Sequence, residues 1–222
     1  MVLNWYGKRF TDEVEALPGN FRPRRLSALE YRNTLHSLFG FELEVNIMEA
    51  EQTETERSLV IKLLPTEPPG ASGFVNDTHG APLSAVLWDQ YSYLADVALE
   101  RWVNDDLSIE QAETMIREFV PRALRRPVSE HQMANILESI ADKDGEALSA
   151  AVRNELKVVL MSPAFMYRGL LMEGEPGQQP VDDFELAERL SYFLWEDMPD
   201  AELMQLAGEG TLAESGVLAR QL

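Results

Sequence analysis

Three arginines lie close together in a protein that is otherwise strongly acidic. Residues 121–130 have the sequence PRALRRPVSE and contain Arg122, Arg125 and Arg126. The whole chain carries a formal net charge of -19 at pH 7. Such a cluster has two interpretations. It binds an anion or a substrate carboxylate, or its guanidinium groups pair with carboxylates of neighbouring elements.

Other residue types that carry chemistry are absent or unsuitably spaced. The chain has no cysteine, which excludes disulfides, thiolate metal sites and covalent haem attachment within these residues. The histidines His36, His79 and His131 lie in separate elements and lack metal-ligand spacing. The segment ADKDGEA fails as a calcium loop because Ile140 and Ala151 occupy positions that require carboxylates. We therefore predict no catalytic residue, metal site or cofactor in this chain.

Composition limits the partners that the chain can bind. A pI near 4.5 argues against nucleic acid and anionic membrane surfaces. It is compatible with a basic protein partner, with bound cations, or with a solvated acidic surface that has no partner at all. No apolar run approaches the roughly 18 residues that a membrane span requires. The start, MVLNWYGKRF, has no apolar segment typical of a secretory signal. The end, GVLARQL, stops inside a helical pattern, so we expect the chain to be truncated there.

The elements that must position these residues are helices with clear start signals. Ser27 with Glu30 has the spacing of a capping box, and Gly40 is suited to a helix end. Further start signals are Ser108 with Gln111, Ser129 with Gln132, and Asp182 with Glu185. Apolar residues at helical spacing also predict helices within 83–103 and 146–161, and a further helix is predicted to restart after Pro199 in MPDAELMQLAGEG. The tryptophans on these amphipathic faces are predicted to be core residues: Trp88, Trp102 and Trp195.

Some segments are ambiguous. The apolar run Ser58–Leu64 is compatible with a buried strand or a helical turn. Pro121 is predicted to kink or restart its helix, since proline removes a backbone donor. The segment EGEPGQQP is the best linker candidate, and strand alternation is not convincing anywhere. The predicted fold is mostly or wholly α, as a multi-helix bundle of two to three small modules.

Three stretches, in order, resemble domains of a known family. They are RRLSALEYRNTLHSLFG with the later GFVNDTHGAPLSAVLWDQYSYLADVALERW, then FVPRALRRPVSEHQMANIL through LKVVLMSPAFMYRG, and finally FELAERLSYFLWEDMPDAELMQLA. They are similar to domains of unknown function 1587, 1595 and 1592, found in planctomycete cytochrome-associated proteins. The resemblance implies helical modules at 21–105, 106–172 and 180–222, the last one cut short.

The resemblance also carries expectations about function. Longer members are exported bacterial proteins that commonly carry c-type cytochrome segments. This chain would then be a periplasmic or otherwise exported docking or scaffold part, with the haem carried outside these residues. The partner would be a cytochrome or another basic protein. The resemblance transfers no catalytic residue. The alternative is an envelope enzyme acting on polysaccharide or another substrate with two carboxylates from Asp77, Asp197 and Asp200.

The arginines are predicted to stabilise contacts between modules. We hypothesise that Arg125 or Arg126 forms a partly buried, bidentate pair with a carboxylate of another module, such as Glu30 or Glu188. Arg122 lies four residues after Glu118, a spacing that favours an ion pair on a helix. Arg24, Arg25, Arg168 and Arg189 are further bridging candidates. The complete set of structural or interaction candidates is Arg122, Arg125, Arg126, Glu30, Arg168, Arg189 and Trp195.

Overall fold

The computed structural model describes residues 24–48, 54–65, 83–168 and 182–221. These residues form helices and a few short strands, which confirms the prediction of a mostly α fold. The helices are α1 (Ala28–Phe39), α2 (Leu59–Leu63), α3 (Ala85–Trp102), α4 (Ile109–Leu124), α5 (Glu130–Glu138), α6 (Gly145–Leu160), α7 (Pro163–Met166), α8 (Asp183–Trp195), α9 (Ala201–Gly208) and α10 (Ser215–Gln221).

Four short strands complete the described structure. Strand β1 (Arg24–Arg25) pairs antiparallel with β4 (Tyr167–Arg168), and β2 (Glu44–Met48) pairs antiparallel with β3 (Glu54–Ser58). The sequence did not predict these strands: β1 and β4 have only two residues each, β3 (ETERS) is polar throughout, and β2 (EVNIM) alternates over only its first four residues. The ambiguous run from Ser58 becomes helix α2, which follows directly on β3.

Capping boxes start three helices at the predicted residues. The Ser27 side chain accepts the backbone N–H of Glu30, whose carboxylate accepts the N–H of Ser27. The same reciprocal arrangement starts α4 and α5, with glutamine in place of glutamate. Gly40 ends α1 in the left-handed conformation at φ 77°. Local side-chain chemistry therefore fixes where these helices begin.

Pro121 does not restart a helix, which was one of the two predicted outcomes. Helix α4 runs through it and ends only at Leu124. Proline lacks the N–H for the helical bond to the residue four positions earlier, but the apolar face remains continuous. Ile116, Phe119, Val120 and Ala123 are all buried, so packing offsets the lost bond.

The core has a large part and a small part among the described residues. Helices α1, α3, α4, α6 and α7 share the large cluster, which contains edge-to-face contacts of Tyr31 with Tyr91 and Phe165. The small cluster joins α8 and α9 through Ala187, Leu203 and further residues. Helix α8 connects both parts, because its Tyr192 belongs to the large cluster.

Two tryptophans are not core residues, contrary to prediction. Trp88 is 44% exposed and Trp195 is 52% exposed, whereas Trp102 packs against the large cluster. An amphipathic pattern does not settle positions near a helix start or end. The predicted linker EGEPGQQP lies outside the described residues, as do Asp77 and His79. Among the helices described, none is both long and apolar enough to cross a membrane.

Candidate functional site: an arginine junction

The three arginines of residues 121–130 lie at the C-terminal end of α4. Arg125 follows the last helical residue and adopts the left-handed conformation, with φ 57°. Glycine is the usual residue in that conformation because a Cβ atom is disfavoured there. Because arginine occupies this position instead, its side-chain contacts are inferred to contribute more to stability than the backbone freedom of glycine would. The set of charged and aromatic side chains around Arg125 is called the arginine junction below.

Arg125 closes the end of another helix. Its side chain is 1% exposed, and its Nη2 donates to the carbonyl oxygens of Ala164 (2.8 Å), Phe165 (3.1 Å) and Tyr167 (3.2 Å). These carbonyls lie at and just beyond the end of α7, where no helical N–H remains to satisfy them. The guanidinium also lies between the rings of Phe165 and Tyr192, with centroids 5.9 and 5.7 Å away.

Arg125 also contacts a carboxylate of α8. Its Nε lies 3.3 Å from Oε1 of Glu188, one of the two partners that we hypothesised. The contact is single rather than bidentate, because the two Nη groups point at backbone carbonyls. Burial raises the pKa of the Glu188 carboxyl, and the positive charge of Arg125 opposes that rise.

The neighbouring arginines contact two different segments. Arg126 pairs with Asp182 at 3.2 Å, and the same carboxylate caps the start of α8. Arg122 donates to the backbone carbonyl of Ser37 in α1 at 2.6 Å. Among the described contacts Arg122 has no ion pair with Glu118, so the predicted i,i+4 pair is wrong. A tertiary acceptor replaces the local one, since an exposed helix pair contributes only about 0.3–0.5 kcal/mol.

Glu30 is the second buried carboxylate of the junction. It accepts from Arg24 at 2.5 Å, lies 3.4 Å from Arg168, and completes the capping box at the start of α1. Arg24 and Arg168 are opposite each other in the β1–β4 ladder, which brings both guanidinium groups to one carboxylate. The ladder therefore joins the beginning of the described chain to the segment after α7.

Tyr192 links these groups, and the sequence analysis did not single it out. Its hydroxyl shares a 2.7 Å hydrogen bond with Thr34 of α1, and the Arg168 guanidinium lies 5.0 Å from its ring centroid. Burial raises the pKa of Tyr192, so it stays a neutral hydroxyl. The sequence does contain a signal for this contact, because Thr34 is a polar residue on the apolar face of α1 beside Tyr31 and Leu35.

Other predicted residues lie elsewhere. Arg189 pairs with Glu185 of its own helix α8, and Trp195 lies at the exposed end of that helix. Asp197 accepts from the Ser37 hydroxyl at 2.6 Å, and Asp200 caps α9 by accepting from Leu203 N–H. The described residues contain no group of three or more His, Asp or Glu side chains placed to hold a metal ion.

The raised pKa of Glu188 leads to a test with Glu188→Gln. A carboxyl with a higher pKa in the folded than in the unfolded state contributes stability that is present at low pH. That contribution is lost as pH rises through the folded pKa. The glutamine variant lacks this loss, so its stability relative to wild type is expected to increase as pH rises above the ordinary range of a glutamate pKa. Urea denaturation at several pH values measures the difference.

Exposed Glu138 gives the matched control for that test. Glu138→Gln removes one exposed carboxylate at the end of α5 and controls for the loss of one negative charge. A Glu188→Gln variant that becomes relatively less stable as pH rises would mean that Arg125 stabilises the carboxylate more than burial penalises it.

The geometry defines a mostly helical protein in which the arginines at the end of α4 contact three other parts of the chain. Arg122 contacts α1, Arg125 contacts the end of α7 and Glu188, and Arg126 contacts the start of α8. Each arginine therefore has an acceptor in another segment, and the arrangement stabilises the junction of three parts of the chain.

Three family models match these parts of the chain. The match to Protein of unknown function (DUF1587) covers residues 24–104, that to Protein of unknown function (DUF1595) covers 111–169, and that to Protein of unknown function (DUF1592) covers 181–222. The chain therefore carries these three domains in this order, which confirms the resemblance stated from the sequence. No curated protein and no solved structure shows significant similarity to the chain.

Proposed function

We propose that this chain is a non-catalytic helical scaffold and docking part of an exported bacterial protein linked to c-type cytochromes. The haem would be carried outside these residues. The partner would be a cytochrome or another basic protein that binds the acidic surface. The cytochrome link and the export rest on the family resemblance, and the docking role rests on how charge is distributed over the described residues.

Segregation of charge is the observation that carries the docking role. The arginines of the junction are buried or half-buried, and each has an acceptor within the protein. Exposed carboxylates far outnumber exposed cations. Among the residues whose exposure the structure describes, the exposed Lys and Arg side chains are Arg32, Lys62, Arg101, Arg117, Arg122, Arg189 and Arg220. The surface left to a partner is therefore strongly negative, and such a surface attracts a basic protein and accelerates its association.

The two described candidate acids of the alternative hypothesis already have structural contacts. Asp200 caps α9. The Asp197 carboxylate accepts hydrogen bonds from the Ser37 hydroxyl and from the backbone N–H of Met198, the next residue. The helix cap and the bond to α1 account for these two carboxylates without a catalytic role. These contacts favour the scaffold over the enzyme.

Binding to a basic c-type cytochrome tests the docking role. We expect reversible binding by calorimetry at low ionic strength that weakens at least about tenfold when salt rises from about 20 to 200 mM, since salt screens exposed charges. The same cytochrome with acetylated lysines is the control and should not bind. Absence of binding at low salt, or binding that salt leaves unchanged, would contradict the proposal. Visible absorbance of the full-length native protein tests for haem.

A further inference from the structure

A groove of about 380 Å³ lies along α4, on the acidic surface of the protein. Trp102, Met115 and Phe119 line it with apolar surface, and Glu110, Glu118 and Arg122 line it with charge. Phe119 is buried, Trp102 and Met115 are half-buried, and the three charged side chains are exposed. The groove therefore has an apolar floor and a charged rim. We call it the α4 groove.

The floor is held rigid by aromatic packing. The Trp102 ring lies 5.3 Å from that of Phe119 and 5.4 Å from that of Phe39, centroid to centroid. Both phenylalanines are buried in the large core cluster. A preformed surface binds a partner with little loss of its own conformational entropy. Aromatic residues such as Trp102 are also frequent anchors of interfaces.

The rim has negative charge to offer a ligand. Neither Glu110 nor Glu118 forms an ion pair with a residue that the structure describes, whereas Arg122 donates to the carbonyl of Ser37. The two carboxylates are eight positions apart on α4, which is about 12 Å along a helix axis. Both are exposed, so they can neutralise cations that approach from solvent.

We propose that the α4 groove is the docking site for a lysine-bearing segment of a basic protein. A lysine combines a long apolar stem, which packs on Trp102 and Met115, with an ammonium that the two glutamates neutralise. The face of Trp102 adds a cation–π attraction. Two lysines about 12 Å apart reach both carboxylates. This inference rests on the proposed function and assigns it to one surface.

Charge-neutral variants separate this groove from the general acidity of the surface. The groove variant is Glu110→Gln with Glu118→Gln, and the control is Asp89→Asn with Glu138→Gln, which removes the same charge from exposed positions on α3 and α5. We expect the groove variant to bind a basic c-type cytochrome about tenfold more weakly at low salt. The control should change by less than about twofold. Equal weakening by both variants would overturn the groove but leave the proposed function standing.

A small probe reports on the groove independently of any cytochrome. Adding a tetralysine peptide to the isotopically labelled chain is expected to shift the NMR signal of the Trp102 indole N–H, and to shift it less in the groove variant. If the peptide acts on Trp102 but no cytochrome binds, the groove stands and the cytochrome partner fails. An unchanged Trp102 signal would overturn the groove, and so would a shift caused by neutral maltoheptaose and not by tetralysine, which would indicate a carbohydrate site.

Discussion

Replacing Arg125 with alanine is expected to lower the free energy of unfolding by about 3–5 kcal/mol, the usual cost of removing one partner of a buried ion pair. The guanidinium is the donor for four backbone carbonyls and lies 3.3 Å from half-buried Glu188. In the alanine variant, the carbonyls and the Glu188 carboxylate lose this donor. Water cannot readily reach them to replace it. Urea denaturation followed by circular dichroism measures the loss.

Exposed Arg117 supplies the matched control, since Arg117→Ala removes the same charge from the solvent face of α4. That variant should stay within about 0.5 kcal/mol of wild type. An Arg125→Ala protein as stable as Arg117→Ala would contradict the structural role of the junction.

Two further variants divide the effect of Arg125 into its causes. Arg125→Gly allows the left-handed backbone at φ 57° without strain, so it should be up to about 1 kcal/mol more stable than Arg125→Ala. Arg125→Met combined with Glu188→Leu removes both charges, and it should recover part of the loss because no unpaired carboxylate remains. The part of the lost free energy of unfolding that is not recovered is the contribution of the backbone carbonyls that have lost their donor.

The arginine segment 121–130 was predicted to stabilise contacts between modules, and the contacts of its arginines are consistent with that hypothesis. Sequence could place Arg125 at a helix end and include Glu188 among its partners, because charges, caps and prolines are visible in sequence. It could not predict the carbonyls of Ala164, Phe165 and Tyr167. Every residue has a carbonyl, and which ones lack a donor depends on the tertiary fold.

Local rules predicted local structure and failed where distant segments compete. The capping boxes at Ser27, Ser108 and Ser129 start helices at the predicted residues, since all their hydrogen bonds lie within four positions. Arg122 had a candidate local partner in Glu118, but it donates to Ser37, which is 85 positions away. The β1–β4 ladder, which brings Arg24 and Arg168 to Glu30, likewise has no local signal.

Glu30 is expected to show the second large effect, because one carboxylate serves a helix cap and two arginines. It is 3% exposed, accepts the N–H of Ser27 at 2.8 Å, and lies 2.5 Å from Arg24 and 3.4 Å from Arg168. Glu30→Gln keeps the cap, because glutamine fills the same position in the boxes of α4 and α5. It removes only the charge, at an expected cost of about 1.5–3 kcal/mol.

Glu30→Ala removes the cap as well and should cost about 1 kcal/mol more than Glu30→Gln. Gln132→Ala is the control, because it breaks an exposed capping box that has no arginine partner, and it should cost only about 1 kcal/mol. Urea denaturation of the three variants therefore separates the cap from the charge. If Glu30→Gln is as stable as wild type, the carboxylate does not hold Arg24 and Arg168 together, and the ladder depends on its backbone bonds alone. If the predicted order holds, a single glutamate joins the first and second domains through its charge, while Glu188 joins the second and third.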